Sequence, residues 1–213
     1  MTTTTAFPPA ERPSNASEPA YDVADLPTYD FGPKSPIWWG TLAFCAIEGM
    51  GFALAIASYL FLAFMAKAFP VASLPPDLLW SSLLTLVLVA SALPNFWLDK
   101  RAHDHNLGAV RAGLLVMTAI GALILVLRAF EFTTLNVQWD EDAYGSIVWL
   151  LLGLHTAHLA TDFADTAVLT ALMFTRHGHG KRFADVADNC FYWNFVIVSW
   201  LPIEFLIYWT PRI

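Results

Sequence analysis

The sequence predicts an all-α integral membrane protein, a bundle of five transmembrane helices. Three observations carry this. First, 57% of the 213 residues are hydrophobic and the mean hydropathy is +0.53, more apolar side chain than a soluble domain of this size can cover. Second, the apolar residues gather in five long runs, over 37–66, 78–98, 107–135, 144–175 and 184–209. Each reaches the roughly 20 residues that a span needs. Third, the runs lack strand-like alternation and a closed barrel needs many short segments, so helices are the remaining way to satisfy the backbone in lipid.

The elements follow in order. Residues 1–34 hold a Thr run, six of the thirteen prolines, and five acidic residues against Arg12 and Lys34. They read as a disordered or loosely draped acidic tail ahead of a transmembrane domain over 35–213. They lack a basic start and a short apolar core, so they are not expected to be a signal peptide. Pro70, Pro75 and Pro76 mark the first turn, 99–106 (DKRAHDHN) the second, 136–142 (NVQWDED) the third and 176–183 (RHGHGKRF) the fourth. The fourth run is long enough to tilt or to project beyond the bilayer. Pro202 should kink the fifth, one turn before Glu204.

Charge sets the orientation. The tail, the second turn and the fourth turn carry most of the Lys and Arg, whereas the third turn is acidic. By the positive-inside rule the N-terminus is cytoplasmic and the C-terminus is on the far side of the membrane. The fifteen per cent aromatic content, with nine Trp, suits aromatic belts at both interfaces. A net charge of −7 argues against a nucleic-acid partner. Cys45 and Cys190 fall inside apolar runs and read as small core residues.

Ionisable residues inside the runs are the strongest functional signal, because such groups are costly in hydrocarbon and face a protein interior. His155, His158, Asp162 and Asp165 follow at spacings of three, four and three, one face of a helix. Counting in from the cytoplasmic ends, Glu48 lies about eleven residues deep, Asp165 ten, Asp162 thirteen, and His155 and Glu204 about twenty. The expectation is two clusters. Glu48 with Asp162 and Asp165 forms the lower one; His155 and His158 with Glu204 or Glu131 form the upper one.

Each candidate has a bland and a sharp reading. Glu48, in Cys-Ala-Ile-Glu-Gly-Met-Gly, is a hydrogen-bonded structural carboxyl or a proton-handling, polar-lipid-facing group; its small neighbours would let another helix approach closely. His155, His158, Asp162 and Asp165 are a polar network, or less readily a zinc, iron or manganese site. Arg128 with Glu131 is an i,i+3 ion pair near the interface. His103, His105, His177 and His179 read as solvated groups of basic turns, able to attract protons or anionic lipid. The stretch Phe191-Tyr192-Trp193-Asn194-Phe195 reads as helix packing. The chain has no nucleophile constellation, phosphate loop, dinucleotide fingerprint or complete haem-ligand set. It also lacks the inverted repeat and paired broken helices of a small transporter.

Four stretches resemble subunit III of the haem-copper terminal oxidases. Ala46-Ile47-Glu48-Gly49-Met50-Gly51-Phe52, with Ala57-Ser58-Tyr59 after it, is similar to the family's Ser-Glu-Val-x-Phe-Phe run and its later aromatic. Arg128-Ala129-Phe130-Glu131-Phe132 resembles its x-Ala-x-Glu-Tyr stretch. Ala143-Tyr144-Gly145-Ser146, leading into Gly153-Leu154-His155-Thr156-Ala157-His158, is similar to Tyr-Gly-Ser and then Gly-Phe-His-Gly-x-His. Tyr192-Trp193-Asn194-Phe195-Val196, with Trp200 and Ile207-Tyr208-Trp209, resembles Tyr-Trp-His-Phe-Val and its Tyr-Trp end.

The resemblance implies the short five-helix bacterial form, equivalent to helices three to seven of a seven-helix fold. It implies a subunit with no cofactor and no catalytic residue of its own. Haem and copper reside in partner subunits. The subunit packs on catalytic subunit I, holds phospholipid, and supports proton uptake and sustained turnover. The family's intramembrane glutamate corresponds to Glu48 and its histidine pair to His155 and His158. Asn194 stands where the family has His, Ile197 where it has Asp, and Asp162, Asp165 and Glu204 where it has small, apolar or aromatic residues. These departures leave room for the subunit-III-like proteins that accompany nitric oxide reductases. A reading of another class is a membrane metal-dependent enzyme built on His155, His158, Asp162 and Asp165.

Overall fold

The computed structural model describes residues 36–65, 75–175 and 182–212. The expected tail over 1–34, Pro70 of the first turn, and His177 and His179 of the fourth lie outside the described residues. By its contacts the chain divides into two units, Met1–Pro36 and Ile37–Ile213, and the helical bundle is the second.

Among the described residues all regular structure is helical. The helices are α1 (Pro36–Met65), α2 (Leu78–Ala90), α3 (Ala92–His103), α4 (Leu107–Phe132), α5 (Ala143–Met173) and α6 (Arg182–Glu204). A π-helical turn (Phe205–Trp209) and a 3-10 turn (Thr210–Arg212) continue α6. Together they make five helical segments long and apolar enough to cross a membrane, with α2 and α3 forming one of them. The bundle is that of a multi-pass membrane protein.

Local chemistry sets the ends. Asp77 caps α2 by accepting from the Leu79 N–H at 3.2 Å, and Asn106 caps α4 through the Ala109 N–H at 3.1 Å. Asp142 caps α5 through the Gly145 N–H at 2.6 Å. Gly145 is obligatory there, since a Cβ would lie 2.0 Å from the Gln138 carbonyl oxygen. Ser146 adds a bond to the Trp139 carbonyl at 2.7 Å. The Tyr-Gly-Ser stretch is thus the start of α5 folded against its own preceding loop.

Several boundaries differ from the sequence reading. The second run continues to His103 rather than ending at 98, with basic Lys100, Arg101 and His103 in its last turn, where they face the negative end of the helix dipole. The same run breaks at Ser91, because Pro94 has no N–H to give the Ala90 carbonyl. The third run stops at Phe132 instead of 135, where the Thr133 and Thr134 hydroxyls bond back to the Phe130 and Glu131 carbonyls at 2.6 and 3.0 Å. At Pro202 the irregularity takes the form of a change in winding: α6 gives way to the wider π-helical turn after Glu204. Tyr59 of α1 reaches this turn and donates to the Leu206 carbonyl at 2.8 Å.

α4 packs against α2, α3 and α5, and α6 packs against α3 and α5. These elements form the tight body. α1 approaches it least closely and is joined mainly through large side chains, including Phe52 and Tyr59. The expectation that small residues around Glu48 allow a close helix approach is not met. A Cβ on Gly51 would meet nothing within 4 Å, and one on Gly49 would make only an ordinary contact with Phe195 at 3.6 Å.

Candidate functional site

α5 is continuous, yet its polar stripe serves three neighbours. His155 points to α4 and α6, His158 to α1, and Asp162 and Asp165 to α6. The expected pairing of the two histidines in one cluster is therefore corrected. Over one helical turn the neighbouring element changes, so side chains three apart enter different environments.

The first cluster is closed to solvent, with Arg128 Nε left without a hydrogen-bond partner. Arg128 donates to Glu131 at 2.6 Å and to His155 Nδ1 at 2.9 Å. Tyr208 donates to the other Glu131 oxygen at 2.5 Å. The Arg128 guanidinium also lies over the Trp200 ring, 4.1 Å from its centre. Arg128, Glu131, His155, Trp200 and Tyr208 are all at most 1% exposed. The ion pair expected near an interface is therefore enclosed by protein. Since Arg128 can only donate, His155 Nδ1 must accept. Its Nε2–H then donates to the Val196 carbonyl at 3.1 Å, which fixes His155 as the neutral Nε2–H tautomer. Both ring nitrogens are committed. Of the two acids expected as alternatives here, Glu131 is the one in the cluster, while Glu204 bonds Thr85, whose hydroxyl oxygen accepts from Trp200 Nε1 at 2.6 Å.

The second cluster joins α1 to α5 and α6. Glu48 Oε1 lies 3.1 Å from His158 Nε2, and Glu48 Oε2 accepts from the Tyr192 hydroxyl at 2.8 Å. His158 Nδ1 lies 2.6 Å from the Leu154 carbonyl, to which only an N–H can donate. The contact between Nε2 and Oε1 then requires one shared proton, on the imidazole or on the carboxyl. Without it two lone pairs would face each other. Sequence reasoning missed Tyr192 because it sits in an aromatic stretch read as packing. Trp193 in the same stretch does pack, donating to Ser91 at 2.8 Å.

The third cluster centres on Asn189, which sequence reasoning also missed. Its Nδ2 donates to Asp162 Oδ1 at 3.0 Å and to Asp165 Oδ2 at 3.3 Å. Thr166 donates to its Oδ1 at 3.2 Å. Asp162 and Asp165 line the same pocket as Glu48, but the expected lower cluster is divided: Glu48 bonds His158 and Tyr192 while the two aspartates bond Asn189. The place of Asn189 beside Asp188 and one turn before Tyr192 on α6 was the available signal for it. The four residues of the stripe do not converge, and among the described residues no three His, Cys, Asp or Glu side chains are grouped so as to hold a metal ion. Cys45 and Cys190 are buried free thiols. His103 and His105 are exposed, with His105 set edge-on to Phe183 at 5.0 Å.

No protein-family model matches the chain. It is similar to cytochrome c oxidase subunit 3 of Rattus norvegicus, 28% identical over 127 residues, covering 59% of this chain and 48% of the relative. Cytochrome c oxidase subunit 3 of Pongo abelii is 27% identical over 125 residues, again 59% and 48%. That of Drosophila yakuba is 24% identical over the same length and shares. The resemblance to the subunit III family is thus upheld by curated relatives, and the chain spans about half the length of those it matches.

Proposed function

We propose that the chain is a non-catalytic subunit III of a respiratory haem-copper terminal oxidase. It packs on catalytic subunit I, whose complex carries the haem and copper, and takes part in oxygen reduction only within that complex. The observation that carries this reading is the similarity to named cytochrome c oxidase subunits 3, together with the contacts among the motif residues themselves. Glu48 meets His158, Glu131 meets Arg128 and Tyr208, and Tyr59 meets the turn before Trp209. Four stretches distant in sequence thus share contacts in one bundle, as parts of one inherited design would.

In this reading Glu48, His158 and Tyr192 tether α1 to the body, and the shared proton makes the pair a candidate for proton handling. The exposed apolar face of α1, including Ile47, Met50, Leu54 and Phe61, meets phospholipid or a partner subunit. The chain lies in a bacterial inner membrane with its N-terminus cytoplasmic. Lys100, Arg101, Arg111 and Arg182 gather at one end of the bundle and Asp77, Asp140, Glu141 and Asp142 at the other, which supports that orientation.

The test is a mild-detergent pull-down of the tagged chain, read by visible absorption and mass spectrometry. Haem bands and a multi-span catalytic subunit of an oxygen reductase are expected. A nitric oxide reductase in its place would reassign the complex, and a colourless, solitary but folded chain would overturn the reading.

A further inference from the structure

A pocket of about 540 Å³ opens between α1, α5 and α6. Among the described residues, five carboxyl groups line it, Glu48, Asp162, Asp165, Asp185 and Asp188, with one guanidinium, Arg182. Glu48 shares a proton with His158, and Asp185 accepts from Arg182 at 2.9 Å.

The Asp162 and Asp165 pair is short of donors. Both carboxyls draw on a single amide nitrogen, Asn189 Nδ2. Asp162 is only 2% exposed, and its Oδ2 has no hydrogen-bond partner. Protonation does not repair this, since a proton on Oδ2 becomes a donor with no acceptor. In either state the buried oxygen lacks a protein partner, and Asp162 is among the residues that line the pocket.

The walls decide what kind. Phe44 and Tyr192, stacked with ring centres 6.0 Å apart, and Leu169 give the pocket an apolar side. A hard metal ion wants about six oxygens around it, and among the described residues no three carboxyl or imidazole side chains are grouped so as to hold one. The Asn189 N–H also points at one oxygen of each carboxyl, where a chelated metal would have to sit. An ammonium group suits the same walls. Its N–H bonds go singly to carboxylate oxygens, and an alkyl stem packs on the rings.

We propose that this pocket binds a primary ammonium group carried on an alkyl stem, with Asp162 and Asp165 as its anionic receptors. This binding goes beyond the proposed function and does not depend on it.

The test is calorimetric titration of the full chain in neutral detergent with n-butylammonium. Saturable one-to-one binding is expected, weakened at least about tenfold in Asp162→Asn and Asp165→Asn at unchanged helicity, the scale of a lost charge-assisted hydrogen bond. Tetramethylammonium, equally charged but without N–H groups, should not bind. That contrast uses the wild type alone, so it decides the matter even where a variant misfolds. Absent binding, equal binding of tetramethylammonium, tighter binding of sodium, or undiminished binding to a folded Asp162→Asn would each overturn the proposal. Bilayer nanodiscs then distinguish the source. Preference for phosphatidylethanolamine over phosphatidylcholine, lost in Asp162→Asn, assigns a lipid headgroup; butylammonium binding without that preference assigns a soluble amine. The outcome reads binding to the chain itself and leaves the subunit III reading untouched either way.

Discussion

The bundle holds two buried acids in opposite circumstances. Glu131 sits in the tight body, with Arg128 on one oxygen and Tyr208 on the other, and is 0% exposed. Asp162 sits on the flank towards α1, 2% exposed, with one oxygen on Asn189 and the other without a partner. Burial is nearly the same, but the supply of donors is not. Each cluster keeps one unpartnered atom, Arg128 Nε in the first and Asp162 Oδ2 in the other, but only Asp162 lines a pocket from which a partner can come. The closed cluster is thus expected to act on stability and the open one on binding.

The largest expected effect breaks the closed side. Arg128→Leu leaves Glu131 without its counter-ion and should destabilise the bundle by about 3–5 kcal/mol. Arg128→Leu with Glu131→Leu should recover part of that loss, because it removes the unpaired charge but leaves Tyr208 and His155 Nδ1 each short of a partner. Reversible denaturant unfolding in detergent micelles, followed by circular dichroism, measures both. If the double variant is no better than the single one, Glu131 does not depend on Arg128 and the comparison fails.

A smaller effect is expected at Tyr208. Tyr208→Phe keeps the ring and removes only the donor to Glu131, at a cost of about 1–3 kcal/mol in the same assay. The equivalent change on the open side, Tyr192→Phe, should cost less than about 1 kcal/mol, because Glu48 is half-buried and turns towards the pocket. Equal losses at the two tyrosines would mean that the flank is as closed as the body.

The five-span architecture was legible because it depends on composition summed over some twenty residues, where single errors do not matter. Depth along each helix offered Glu131, as an alternative to Glu204, for the partner level with His155. The azimuth was not legible. Whether residue 155 or 158 meets α1 depends on how each helix is rotated and on which neighbour stands beside it. No periodicity within one helix encodes that. Asn189 and Tyr192 were missed for a related reason: their roles exist only across helices. The break at Ser91 could have been read, since Pro94 lies plainly in the second run. It was hidden by the length of the apolar window around it.

The smallest expected effect tests what the link between α1 and the body is made of. Glu48 accepts from Tyr192 and shares a proton with His158. Glu48→Gln keeps an acceptor for Tyr192 and an amide N–H that can reach His158 Nε2. The bundle should therefore stay within about 1 kcal/mol of wild type. Glu48→Leu keeps most of the bulk but strands the hydroxyl and the imidazole together. Because α1 has few close backbone contacts to compensate, the loosening should be local. Faster proteolysis and faster hydrogen exchange in α1 are expected, with α4 and α5 unchanged. Equal exchange in the two variants would mean that Phe52 and Tyr59 hold α1 by packing alone, and that the polar contact at Glu48 is incidental to the fold.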